Sequence, residues 1–99
     1  MIDYIKGEIA RITPTYLIME TGGIGYMINI SLTTFSRLEK LKEFKVLIHE
    51  VITEDSHQLF GFAEDEERDI FRFLISVSGV GANTARMMLS SLSPGEIEK

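Results

Sequence analysis

The segment Leu74-Ile75-Ser76-Val77-Ser78-Gly79-Val80-Gly81-Ala82-Asn83-Thr84-Ala85-Arg86-Met87-Met88-Leu89 constrains this chain more than any other. It reads as two short helices joined by a Gly-Val-Gly turn, a helix-hairpin-helix arrangement suited to holding a phosphate backbone. A corner this tight needs backbone angles that a side chain disfavours, and glycine supplies them. The second helix then presents free N–H groups, from Gly81 to Thr84, to an anion placed before it. Ile70, Phe71, Phe73, Leu74 and Val77 recur at spacings of three and four, which predicts one apolar face on the first helix. Two other readings stand beside this one. The turn could be purely structural, or Gly79-Val80-Gly81 with Ala85 could imitate a dinucleotide-binding loop. That loop must follow a buried strand, whereas here a helix precedes it.

Composition limits the rest. Ninety-nine residues with 44% hydrophobic content make one modest domain or two very small ones sharing a core, and a large enzyme is excluded. No run approaches the roughly 18 apolar residues needed to cross a bilayer, and Met1-Ile2-Asp3-Tyr4 lacks the basic start of a signal peptide. The expectation is a soluble, cytoplasmic protein without membrane contact. There is no cysteine, and His49 and His57 are the only histidines, so neither a zinc site nor any other cofactor is expected. The net charge of −5 is unusual for a chain that binds a polyanion. Its distribution matters more. From Glu54 to Asp69, seven acids stand against Arg68 alone, giving −6, and the remainder of the chain sums to +1. Acidity confined to one segment leaves other faces able to hold phosphate, and can repel it locally.

The first sixty residues carry strand signals. Ile2 to Ile12 is expected as a first strand with a bulge or bend at Gly7, and Thr13-Pro14-Thr15 as a turn. A second strand is expected over Tyr16 to Thr21. Gly22-Gly23 then leads into a third, where Ile24, Tyr26, Ile28 and Ile30 alternate. Leu32, Phe35, Leu38 and Leu41 recur every three residues and predict a short helix capped by Ser31 or Thr33. Phe44 to Thr53 and His57 to Phe62 complete five strands. Five strands with a helix between the third and fourth is the order of an OB barrel. The expected class is therefore α+β: a five-stranded OB-fold β-barrel over residues 1–63, followed by a small helix-hairpin-helix α domain over residues 64–99.

Past Phe62 the residues favour helix, with Glu64 or Asp65 at the cap and Glu66 and Glu67 near the positive end of the helix dipole. Asp65, Glu66 and Asp69 imitate a metal site, but a solvated helix face explains them better and no metal is expected. Ser93-Pro94-Gly95-Glu96 reads as another helix start. Only three residues follow, too few for a helix to bury, so the chain reads as cut from a longer protein and its helical domain as incomplete.

Several separated motifs now occur in one order: Gly7 in the opening strand, Gly23-Ile24-Gly25-Tyr26 entering the third, Thr53-Glu54-Asp55-Ser56-His57-Gln58-Leu59-Phe60-Gly61-Phe62, and Val77-Ser78-Gly79-Val80-Gly81 with Ala85 and Leu89. Together they cover nearly the whole chain, and it resembles the RuvA family of Holliday junction branch-migration proteins. The resemblance implies a homotetramer that holds a four-way DNA junction open while a hexameric ATPase partner, RuvB, pumps duplex arms through it. It implies DNA contacts from the backbone donors of Gly79, Val80 and Gly81, with Asn83 and Thr84 opening the next helix. It also implies an acidic pin at Glu54 and Asp55. Elementary chemistry agrees with that role, since two carboxylates at a hairpin tip stay ionised at neutral pH and repel phosphates; the other reading is an ordinary polar turn. The chain departs from many relatives at Asn83, where a basic residue often sits, and at Thr53, where some have arginine. Each lost cation should weaken phosphate affinity, with Arg86 as a partial substitute. Family members continue into a second helix-hairpin-helix, a linker and a domain that contacts the motor.

Three functions are compatible with the residues. A non-catalytic junction-recognition subunit fits best, since no Walker loop occurs and any ATPase must lie in another protein. A generic OB-fold DNA-binding module without junction specificity would want a basic groove, yet the first 53 residues hold six acids and six bases. A repair glycosylase fragment would need a catalytic lysine or aspartate after Gly81, and none is supplied. Tyr4, Tyr16, Tyr26, Phe60 and Phe62 alternate with aliphatic residues and are expected in the core, as are Met87 and Met88.

Overall fold

A computed structural model describes residues 1–91 of the chain. The helix start expected at Ser93-Pro94-Gly95-Glu96 lies outside them. Five strands, β1 (Tyr4–Ile12), β2 (Tyr16–Thr21), β3 (Ile24–Asn29), β4 (Glu43–Ile52) and β5 (His57–Phe62), alternate with a helix α1 (Leu32–Leu38) after β3. Two more helices, α2 (Asp65–Ser76) and α3 (Ala82–Ser90), follow β5. The strands close into a barrel in the order β1-β2-β3-β5-β4. Every pairing is antiparallel except β3 with β5, where Asn29 faces Phe60. That short parallel contact is reinforced by the Asn29 side-chain amide, which donates to the Leu59 carbonyl at 3.2 Å.

Alternation explains the barrel. Leu17, Met19, Ile28, Val46 and Ile48 point inward and are fully buried, each contributing about 1.5–3 kcal/mol relative to exposure. Helix α1 closes one end of the barrel with Leu38, and its Ser31 cap accepts from the Thr34 N–H. Strand β5 is buried on both faces, because Phe60 and Phe62 turn away from the barrel into a second cluster with Phe71, Ala85 and Leu89. The Phe60 and Phe62 rings lie 5.2 and 5.0 Å from that of Phe71. The helices therefore share their core with the barrel across the expected boundary at residue 63.

Several local expectations change. Strand β1 begins at Tyr4 rather than Ile2, and its irregularity lies at Ala10, where the register slips between Ile9 and Arg11. Gly7 serves close approach instead: a Cβ there would stand 2.3 Å from the Glu20 carbonyl oxygen. Ile24, Leu32 and Leu41 are exposed, so the alternating and three-residue patterns run past the core at their ends. Phe73, Val77, Met87 and Met88 are also exposed, against the single buried face and the packing roles expected of them. Phe60 and Phe62 are core residues, but Tyr4 is half exposed, with the Lys45 ammonium 4.5 Å above its ring.

Candidate nucleic-acid interface

Helix α2 ends at Val77, whose N–H donates to the Leu74 carbonyl, and the chain reverses through Ser78-Gly79-Val80-Gly81. Gly79 has φ +88°, a left-handed conformation that costs an L side chain about 1–2 kcal/mol. Gly81 caps α3 with extended backbone and no side-chain hydrogen bond. The first bond of α3 runs from the Ala85 N–H to the Gly81 carbonyl at 2.9 Å, so the amides of Ala82, Asn83 and Thr84 stand ahead of the helical ladder. Gly79, Gly81, Asn83 and Thr84 are all exposed. The Val80 amide is different. It donates to the Val77 carbonyl at 3.1 Å and its side chain packs on the second core cluster, so Val80 shapes the turn and is not the free donor counted from the sequence. Because helix α2, and no strand, precedes the turn, the dinucleotide-loop reading falls away.

Helix α3 is held from behind. Thr33 donates its hydroxyl to the Leu89 carbonyl at 3.1 Å, and the Leu32 N–H donates to the Ser90 hydroxyl at 3.0 Å. Arg86 turns inward and donates to the Ile30 carbonyl at 3.2 Å, with its Nε buried and without a partner among the described residues. It braces α3 against the barrel and is not the exposed substitute cation expected from the sequence. Helix α2 is anchored by Glu67, which is buried and accepts from the Ser31 and Thr34 hydroxyls at 2.6 Å each. These bracing residues were missed in the sequence. The available signal was an acid at 67, four residues before Phe71 and so on the apolar stripe of its helix.

Arg68 and Arg72 set the direction of α2 relative to β4. Arg68 donates to the Ile48 and Asp3 carbonyls at 3.2 and 2.8 Å, and Arg72 Nε donates to His49 Nδ1 at 3.1 Å. Helix α2 is thereby tied to the middle of β4 at Ile48 and His49. This packing lowers the His49 pKa: burial lowers it most, the Arg72 and Arg68 charges lower it further, and Glu50 opposes them.

At the hairpin tip the Thr53 N–H donates to the Ser56 carbonyl at 2.8 Å, the Ser56 N–H donates to the Thr53 hydroxyl at 3.1 Å, and the two hydroxyls lie 2.9 Å apart. This clamp leaves Glu54 and Asp55 at the apex, exposed and without a salt bridge among the described residues. Thr53 therefore has a structural use of its own, closing the turn. At the foot of the hairpin His57 Nε2 lies 2.6 Å from Glu50 Oε2, and the Ile2 N–H donates to the other Glu50 oxygen. The Ile2 amide, then His57, holds the Glu50 carboxyl below the usual carboxylate range. Elsewhere the acids serve the fold: Asp65 pairs with Arg68 and Glu64 with Arg37. Among the described residues no group of three or more histidine, aspartate or glutamate side chains is placed to hold a metal ion, and no helix is long and apolar enough to cross a membrane.

Residues 1–61 match the family described as the RuvA N terminal domain. The chain is 61% identical over 97 residues to a protein of Parabacteroides distasonis, covering 98% of this chain and 50% of that one. It is 58% identical over 99 residues to a protein of Azobacteroides pseudotrichonymphae and 57% identical over 97 residues to one of Christiangramia forsetii, covering 100% and 98% of this chain and half of each relative. All three bear the name Holliday junction branch migration complex subunit RuvA. The chain thus spans about half the length of the curated relatives it matches, and on both its family match and these identities it belongs to the RuvA family.

Proposed function

We propose that this chain is the junction-holding part of a branch-migration subunit acting in DNA recombination and repair. It binds four-way DNA through phosphates and does no covalent chemistry. The observation that supports this reading is that a chain of the RuvA family exposes both the Gly79–Gly81 turn, with Gly79 at positive φ, and a Glu54–Asp55 hairpin tip that makes no salt bridge among the described residues. Open amides at Gly79, Gly81 and the start of α3, beside Asn83 and Thr84, receive phosphate oxygens from a duplex arm. Backbone donors see only phosphate, so recognition is independent of base sequence. Glu54 and Asp55 repel phosphates at the crossing point and favour DNA whose strands part there. The sequence carries no Walker loop, so the energy for migration comes from a separate motor of the RuvB type. A homotetramer presents four such surfaces to the four arms.

The test is fluorescence anisotropy at low salt with the full natural chain, comparing a four-way junction with linear duplex of equal length. Preference for the junction is expected. Glu54→Gln with Asp55→Asn is expected to bring the two affinities together while leaving duplex binding intact. Equal wild-type affinities would favour a generic DNA-binding module, and undiminished discrimination in the double variant would remove the pin.

A further inference from the structure

At the foot of the acidic hairpin a histidine sits where its proton changes the local field. We propose that His57 is a specificity-setting residue whose charge tunes the repulsion exerted by Glu54 and Asp55, so that preference for four-way junctions weakens as the imidazole gains a proton. This rests on the junction reading above and names a control on the same site.

His57 opens β5, two residues beyond Asp55. Its side chain is 55% exposed, whereas that of Glu50, its partner at 2.6 Å, is 6% exposed. Glu50 is fixed from the other side by the Ile2 N–H, so it holds the imidazole in place. Asp55 and His57 are two residues apart in sequence, so their Cα atoms lie no more than about 7 Å apart, inside the screening length of about 10 Å at 0.1 M salt. The charged groups around His57 are few. Glu50 on β4 and Glu54 and Asp55 on the tip are negative, and the Met1 α-amine acts on Glu50 from the N-terminal segment. Strand β5 carries no other charge. His49 packs instead toward α2, with Arg72 on its ring nitrogen, Phe71 at its edge and Arg68 nearby. Counting the three acids with His57, the foot and tip carry −3 when the imidazole is neutral and −2 when it is protonated. The variants below fix that charge at either value, so the comparison reads the charge itself.

The experiment measures the ratio of junction to duplex affinity from pH 5.5 to 8.0 for the full natural chain and two variants. His57→Gln fixes a neutral side chain and His57→Lys a positive one, both at an exposed position. In the wild type the ratio is expected to fall roughly twofold to fivefold toward pH 5.5, the factor that a surface charge pair is worth. His57→Gln should keep the high ratio throughout, and His57→Lys the low ratio throughout. A junction preference whose pH profile is the same in all three proteins overturns the role of His57 and leaves the junction reading standing. No preference in the wild type at any pH overturns the junction reading itself, and this inference with it.

Discussion

Glu67 and His49 show how single side chains hold the helices to the barrel. Glu67 is a buried carboxylate whose two oxygens are taken by the Ser31 and Thr34 hydroxyls, at the N-terminus of α1, where the helix dipole favours negative charge. Glu67→Ala leaves both hydroxyls without that acceptor. It is expected to cost about 2–3 kcal/mol, read as a lower urea midpoint, because hydrogen bonds to charged groups are worth roughly that much. Glu67→Gln should cost less, and equal losses for both variants would show that packing volume, not the charge-assisted bonds, is what matters. His49 carries a pH signature. Its pKa is lowered from the ordinary 6.5, so below that pH the unfolded chain takes up a proton that the folded chain refuses. Its contribution to stability is complete above about pH 6.5 and is lost as the pH falls through the depressed folded value. Urea midpoints should therefore drop between pH 7.5 and 5.5, and the drop should shrink in His49→Gln. An identical drop in that variant would place the acid sensitivity elsewhere.

The turn between α2 and α3 separates two uses of glycine that the sequence alone runs together. At Gly79 a Cβ would meet nothing within 4 Å, but φ is +88°. Gly79→Ala is therefore expected to cost about 1–2 kcal/mol of stability through backbone strain alone, and to weaken binding to junction and duplex alike. Gly81 has φ −86° and open space around it, and serine is the better helix cap. In Gly81→Ser the new hydroxyl takes the Thr84 amide. Thermal unfolding should show a gain of about a few tenths of a kcal/mol while affinity for both DNAs falls. Stronger binding by Gly81→Ser would mean that these amides are not the phosphate donors. Much of the architecture was legible: β2 and β5 have the expected bounds, β2 because it alternates and β5 because a short apolar run, buried on both faces, is flanked by turn residues. What failed was spacing taken without angle. Phe73 lies three and four residues from other apolar positions, yet at 3.6 residues per turn it stands about 160° from Phe71 and faces water. The pin and turn glycines could be named as exposed positions, but not the Val80 amide's partner or the inward path of Arg86. Both depend on contacts made by the fold, within the turn for one and across 56 residues of chain for the other.

Folding divides the acidic segment that makes this chain look hostile to DNA. Strand β5 separates Glu54 and Asp55 from Glu64 to Glu67 by about 20 Å of extended chain. At the far end Glu64, Asp65 and Glu67 are occupied with Arg37, Arg68 and the α1 cap, while Glu54 and Asp55 stay free of ion pairs among the described residues. The same packing consumes cations: Arg68, Arg72 and Arg86 all point into the protein. Little positive charge is then left near the turn among the described residues, and on the proposed reading phosphate would be held mainly by neutral amide dipoles. Counterion release scales with the cations that neutralise phosphates, at about −0.9 in log K per log salt for each. For the 99-residue chain the slope is expected at about −1 per bound copy, measured by anisotropy between 20 and 200 mM NaCl with copy number fixed by light scattering. A slope of about −4 or steeper per copy would require several exposed lysines at the interface, and would move the DNA from the Gly79 turn to the β1–β4 face of the barrel, where Lys6 and Lys45 stand side by side.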